Sequence, residues 1–169
     1  MPIPAPLQLH QESVRPEWID YNGHMNVAYY VLAFDHAVDA FLDFIGMDED
    51  YRKRTGGTTF SVDCHVTYQR EVSDGDPLRF TSQLLAYDEK RIHHFHHMYH
   101  AEDGFLAATC EWLSLHVDLE ARRVVPMGAD IATRLAATLQ SHKDLPRPAE
   151  AGRGIAMPAP KSLKEAGLA

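Results

Sequence analysis

The chain has 169 residues, 45% of them hydrophobic, and a net charge of −8 with histidine counted neutral. That size and apolar share fit one packed domain with a short tail, and the acid excess argues against nucleic acid, whose phosphates attract clustered Lys and Arg. No run of about 18 apolar residues occurs, so no membrane span is expected. Cys64 and Cys110 form neither a CxxC pair nor a disulfide framework, and read as buried thiols of a reducing compartment. The N-terminus MPIPAPLQLH lacks the basic region and long apolar core of a signal peptide, so a cytoplasmic protein is expected.

In chain order, residues 7–15 (LQLHQESVR) alternate loosely and predict a strand, ended by Arg15-Pro16. From 27 to 45, apolar residues recur at spacings of three and four, from Val27 and Tyr30 through Phe34, Val38 and Phe41 to Ile45. That period predicts one long helix, with Gly46 as its C-terminal cap. The stretch MDEDYRKRTGG reads as a loop. Strands are predicted over 58–71, 78–88, 91–101 and 105–119. Their separators SDGDP, DEK and EDG carry turn chemistry, so consecutive strands run antiparallel. Residues 129–139 form a second helix with Ile131, Leu135 and Leu139 on one face. The Pro-, Gly- and Ala-rich tail, 146–169, is expected to be an extended or disordered arm that folds over a neighbour or stays mobile.

The expected organisation is therefore a domain over 1–145 and a tail over 146–169. The class is α+β, with a five-stranded antiparallel sheet and one long helix that must cover each other. A helix of that length spans about 28 Å, enough to lie across five strands about 4.8 Å apart.

The stretch WIDYNGHMNVAYY, 18–30, crowds polar groups where this helix begins. Helix starts leave backbone N–H groups unpaired and carry partial positive charge. One reading is a capped helix: Asn22 or Asn26 supplies the cap, Gly23 allows a close approach, and the dipole favours the acid Asp20. A second reading uses the same groups for chemistry. Exposed N–H groups can hold a developing oxyanion, and a nearby carboxylate can attack a carbonyl or activate water. Asp20 precedes Gly23 by three residues, so both groups can face one small volume. This suits acyl transfer or hydrolysis.

The pattern D-x-x-G-H-M-N, followed by a long helix and four strands, resembles the hotdog-fold acyl-CoA thioesterases of the 4-hydroxybenzoyl-CoA thioesterase-like group. Asp20, Gly23, His24 and Asn26 match that motif position by position, and DGDPL at 74–78 resembles its Gly-Asp turn. Trp18 departs from it, since many relatives carry a further Asp there. The resemblance implies a hotdog fold, with the sheet wrapped around the central helix. It also implies a homodimer or homotetramer joined edge to edge, with active sites between subunits. Asp20 would be nucleophile or general base. Backbone N–H groups near Gly23, His24 and Met25 would polarise the thioester carbonyl, and Asn26 would orient water or substrate. No metal or other cofactor is implied, since the coenzyme A thioester is itself the substrate. A narrower likeness lies in RPEWIDYNGHMNVAYYVLAFDHA and LHVDLEARRVVP, which are similar to thioesterases of carnitine breakdown acting on betainyl-CoA.

Other residues complete the expectations. Trp18, Tyr21, Met25, Tyr29 and Tyr30 are candidates for an acyl pocket, and their aromatic faces could cage a quaternary ammonium group. Asp63 and His65, read as sharing a strand face with Ser61 and Thr67, could assist Asp20, although a solvated or interface face is the simpler reading. Thr58 and Thr59 are weaker helpers. Arg70, Lys90, Arg91, Arg122 and Arg123 are candidates for the phosphates of coenzyme A. In RIHHFHHMYH, strand alternation puts His94, His96 and His100 on one face with Met98, and His93 and His97 on the other. His-x-His is a metal-ligand spacing, but no acid lies at ligand distance, so a half-solvated or interface strand is expected.

Two alternatives to thioester hydrolysis remain at this point. A hotdog-fold dehydratase or hydratase would use His24 as base, and a non-catalytic module would bind acyl-CoA without turnover.

Overall fold

The computed structural model describes residues 2–157; the rest of the predicted tail lies outside the described residues. A short strand β1 (Gln11–Ser13) and a single 3-10 turn (Pro16–Trp18) lead into the long helix α1 (Val27–Phe44). A short helix α2 (Glu49–Thr55) follows. Next come four long strands, β2 (Gly57–Tyr68), β3 (Pro77–Tyr87), β4 (Arg91–His100) and β5 (Leu106–Asp118). The two-residue strand β6 (Arg123–Val124) and helix α3 (Ala129–His142) complete the domain. The sheet is antiparallel throughout, in the order β1-β3-β4-β5-β2, with β6 paired to β5.

The helix forms where the period placed it. Asn26 caps it, its side chain accepting the Ala28 N–H at 3.0 Å, and Gly46 follows with a positive φ of 91° that glycine tolerates. Tyr30, Ala33, Phe34, Ala37, Val38, Phe41 and Leu42 form its buried stripe. That stripe meets the concave face of the sheet: Leu78, Phe80 and Leu84 from β3, Ile92 and Met98 from β4, and Cys110 and Trp112 from β5. Helix α3 covers the edge of β3 through Ile131, Leu135, Thr138 and His142. His142 Nδ1 accepts the Leu84 N–H at 2.9 Å, next to a bulge in β3.

Several expectations change. The first strand keeps only three residues, plus an isolated bridge from Leu7 to Ser82, because the surrounding chain does not continue the ladder. The expected loop at 47–57 holds α2, capped by Asp48 and closed by Gly56. Seven residues with only Tyr51 buried are too few for periodicity to show. A sixth strand, two residues long, was too short to read. Cys64 is exposed on β2, whereas Cys110 is buried as expected and its thiol is pushed up by burial. The tail is not wholly loose. Its first part lies along the outer face of the sheet, where the Pro146 carbonyl accepts from Gln83 Nε2 and Gly152 N–H donates to Glu111 Oε2 at 2.7 Å.

Strand β4 also differs: it is not half-solvated. His94 and His96 are fully buried beneath α1, with Phe41 stacked on His94 at 5.0 Å. They form a continuous chain of short hydrogen bonds, Ser82 Oγ to His96 Nδ1, His96 Nε2 to His94 Nδ1, and His94 Nε2 to Ser114 Oγ. Every ring nitrogen is used within this chain, which explains how two imidazoles sit inside an apolar core.

Candidate active site

The site is built on the chain reversal that feeds α1. Ile19 and Met25 face each other in an isolated antiparallel bridge. Between them Asp20 O accepts the Gly23 N–H at 3.0 Å, and Asp20 N–H donates to His24 O at 3.1 Å. Gly23 takes φ 84°, the left-handed region, which is why glycine stands in that turn. The loop is fastened from below: Met25 N–H donates to Val72 O at 2.9 Å, and Asn26 N–H to Trp18 O at 2.9 Å.

This turn aims the Asp20 carboxylate at the start of α1. Oδ1 accepts the Asn22 N–H at 2.8 Å, and Oδ2 accepts from Asn26 Nδ2 at 3.3 Å. Two donors hold the anion in one orientation, and each oxygen keeps a further lone pair for a substrate or a water. The bland and the sharp readings thus coexist in one residue: Asn26 caps the helix and also holds the acid. Both oxygens lie where the helix dipole favours negative charge.

Of the amides expected to polarise a carbonyl, Gly23 and Met25 are already committed to Asp20 O and Val72 O. Among the described residues, the His24 N–H and the Val27 N–H at the first turn of α1 have no protein partner. Both are unpaired donors beside the Asp20 turn. The His24 ring is half-buried, its Nδ1 has no partner, and its Nε2 lies 3.9 Å from Glu71, beyond hydrogen-bond reach.

The structure brings some of the other candidates together and separates others. Trp18 is buried, stacks on Tyr29 at 5.6 Å, and carries the Arg15 guanidinium over its ring at 5.0 Å, so it walls the site from behind. Met25 and Tyr30 are buried with it. Tyr21 is 97% exposed at the tip of the turn. Tyr68 was missed by sequence reasoning because it closes a strand and carries no motif. Its ring meets Tyr30 edge-on, and its hydroxyl donates to Val27 O at 3.4 Å.

Asp63 lies elsewhere within one chain. A bulge between Ser61 and Asp63 breaks the alternation of β2. Ser61 therefore faces the helix side, where its hydroxyl accepts from Trp112 Nε1 at 2.9 Å. Asp63 and His65 turn to the outer face, beside His93, Glu111 and the Gly152–Ile155 stretch of the arm. Of the expected shared face, Asp63, His65 and Thr67 stay together and Ser61 alone leaves it.

The basic candidates also divide. Arg70 follows β2 at the same end of the sheet as Asp20, its guanidinium 4.0 Å from the centre of the Phe105 ring. Lys90 precedes β4 and Arg91 begins it, while Arg122 precedes β6 and Arg123 begins it, all at the opposite end. Ten residues of β4 separate the two ends by about 30 Å. Arg91 is tied to Asp88 at 2.7 Å, and Arg122 lies over Phe60.

Fold and site together define a hotdog-fold thioester hydrolase. The chain belongs to the thioesterase-like superfamily, which matches residues 14–135. It is 37% identical over 152 residues to a betainyl-CoA thioesterase of Pseudomonas aeruginosa, covering 90% of this chain and 96% of that one. It is 40% identical over 150 residues, 89% of its length, to an L-carnitine dehydrogenase/betainyl-CoA thioesterase of Agrobacterium fabrum, and spans 30% of that longer protein. Among solved structures, a Staphylococcus aureus protein in complex with CoA superposes with a TM-score of 0.84 at 30% identity, covering 94% of this chain and all of that one. A Pseudomonas putida structure assigned as a thioesterase superposes with a TM-score of 0.80 at 33% identity, covering 92% and 99%.

Proposed function

We propose that this chain hydrolyses the thioester of a small acyl-CoA, with betainyl-CoA as the substrate, and that Asp20 is its catalytic carboxylate. The observation that carries the reading is the Asp20 carboxylate held by Asn22 N–H and Asn26 Nδ2 at the start of α1. In hydrolysis, the thioester carbonyl carbon is attacked and its oxygen becomes an oxyanion, which the His24 and Val27 amides stabilise. The C–S bond then breaks and coenzyme A leaves as thiolate. Asp20 acts in one of two ways. It takes the proton of an attacking water, or it adds directly to the carbon, giving a mixed anhydride that water cleaves.

The reading includes a homodimer through β2. That strand is the terminal one of the sheet, twelve residues long, and its outer edge has no protein partner among the described residues. Phe60, Val62 and Tyr68 are exposed along it, and Val27 and Leu32 on the adjoining helix. A long unpaired edge with exposed apolar side chains is a template for pairing with a second strand. Antiparallel pairing about a two-fold axis brings the start of one β2 to the end of the other. The partner's Arg122, beside the start of its own β2, then approaches the Asp20 turn. This gives Arg122 a route to a coenzyme A phosphate that it lacks within one chain.

The test is thiol release from a panel of acyl-CoAs, betainyl-CoA included, by wild type and Asp20→Asn. Rapid turnover of betainyl-CoA and a loss of about 100-fold or more in the variant is the expected result. Turnover unaffected by Asp20→Asn removes Asp20 from the chemistry. Single-turnover hydrolysis in labelled water separates the two roles, since only the anhydride route can place the label in Asp20.

A further inference from the structure

We propose that His10, Glu12 and His36 form a binding site for one zinc ion, separate from the catalytic turn. His10 and Glu12 are two residues apart at β1 and so project to one side, toward α1, where His36 meets them. Glu12 Oε1 lies 3.0 Å from His10 Nε2 and 3.0 Å from His36 Nδ1, and Oε2 lies 3.2 Å from the same His36 nitrogen. One atom from each residue falls within 4.8 Å of the other two, the one such trio among the described residues.

The donor set suits zinc. Two imidazole nitrogens and one carboxylate oxygen are a zinc triad that leaves a fourth position for water. Tetrahedral ligand atoms about 2.0–2.1 Å from zinc stand about 3.3 Å apart, so the two contacts to Glu12 need to open by only a few tenths of an ångström. The side chains are 23%, 11% and 32% exposed for His10, Glu12 and His36, shielded but open to an entering ion. The backing is firm on both sides: the His10 ring rests on the buried Phe80 at 5.3 Å, and His36 projects from the middle of α1. Asp39, three residues further along α1, lies within electrostatic reach of His36 and adds negative charge.

The proton account closes. In its neutral form each imidazole donates to Glu12 through the nitrogen that would bind the ion. Binding requires that proton to move to the far nitrogen of the ring, and zinc takes its place beside the carboxylate. No proton leaves a neutral ring.

His36 lies ten residues beyond Asn26 on α1, about 15 Å along the axis, so the ion does not touch the reacting atoms. Its effect is on architecture. Strand β1 has three residues and only β3 as a ladder partner. Zinc would fasten this short edge strand to the central helix.

The test uses the full chain stripped with chelator, then titrated with zinc chloride and followed by calorimetry and elemental analysis. One zinc per chain with Kd below about 10 µM is expected, and at saturation the thermal midpoint should rise by about 5 °C. His36→Gln and Glu12→Gln should each weaken binding at least about 30-fold, while His93→Ala, which alters an outer-face histidine, should leave it unchanged. Circular dichroism confirms that each variant is folded. No stoichiometric uptake by wild type overturns the proposal and leaves a hydrogen-bonded triad. Uptake unaltered in both His36→Gln and Glu12→Gln overturns it too, placing the ion elsewhere.

Discussion

Asn26 serves α1 and Asp20 with opposite ends of one side chain: Oδ1 accepts the Ala28 N–H at 3.0 Å, and Nδ2 donates to Asp20 Oδ2 at 3.3 Å. The stability of the helix and the aim of the carboxylate therefore share one amide. The two contributions separate by substitution. Asn26→Ser keeps a capping oxygen and, being shorter, withdraws the donor from Asp20 without adding charge, so stability should change little while kcat falls about 10-fold or more. Asn26→Ala loses both, and should cost about 1 kcal/mol of stability as well. Urea denaturation and thiol-release kinetics on the same two variants read the split.

The buried histidine chain predicts an acid-sensitive fold. Burial holds His94 well below the ordinary imidazole range, and burial with a further push from His97 lowers His96 to about 3. Both are neutral in the folded protein. In the unfolded chain each titrates near pH 6.5, so between about pH 3 and 6.5 the unfolded state binds more protons. Stability is full above pH 6.5 and declines as the pH drops below it, with His96 alone removing about 2 kcal/mol at pH 5. Denaturant midpoints at pH 7.5 and 5.0 should show the fall without a change in slope. His96→Gln, which can still bond Ser82, should flatten it.

At the free edge of β2, Val62 is 52% exposed and sits at the bulge. Val62→Glu should leave the monomer folded, since surface changes of this kind usually cost under about 0.5 kcal/mol. In a dimer paired along this edge it would bury an unpaired charge. Light scattering should then report monomers, and thiol release should drop with the dimer. A fully active monomer would show that one chain carries the whole site.

Glu111 holds the arm. Its carboxylate accepts from Gly152 N–H and from His93 Nε2, both at 2.7 Å, and against the upward push of burial these hydrogen bonds, with the nearby His93 and Arg147, hold it below the ordinary carboxylate range. Glu111→Ala removes both contacts and should release residues 146–155. Limited trypsin digestion would report this as faster cleavage after Arg153, with the domain intact.

The sequence alone determined the elements whose pattern repeats. The period of α1 runs over five turns, and its stripe from Tyr30 to Leu42 is the buried face. The four long strands are bounded by turn chemistry. The run Asp20, Gly23, His24, Asn26 stood out because unusual residue types cluster where a helix starts. Local rules suffice there, since capping and backbone conformation depend on near neighbours.

Tertiary structure decided the rest. The bulge at Val62 sends Asp63 to the outer face, and alternation cannot foresee an extra residue in the ladder. Whether the β4 histidines faced water or the core depended on Phe41, Ser82 and Ser114 arriving from three other elements. The Gly23 and Met25 amides were committed by partners that the fold supplies, Val72 among them, which left His24 and Val27. His10, Glu12 and His36 drew no notice in the chain, because His36 is 24 residues from Glu12 and only the packing of β1 on α1 brings them to 3.0 Å. Contacts of that kind come from burying one element against another, and no local pattern records them.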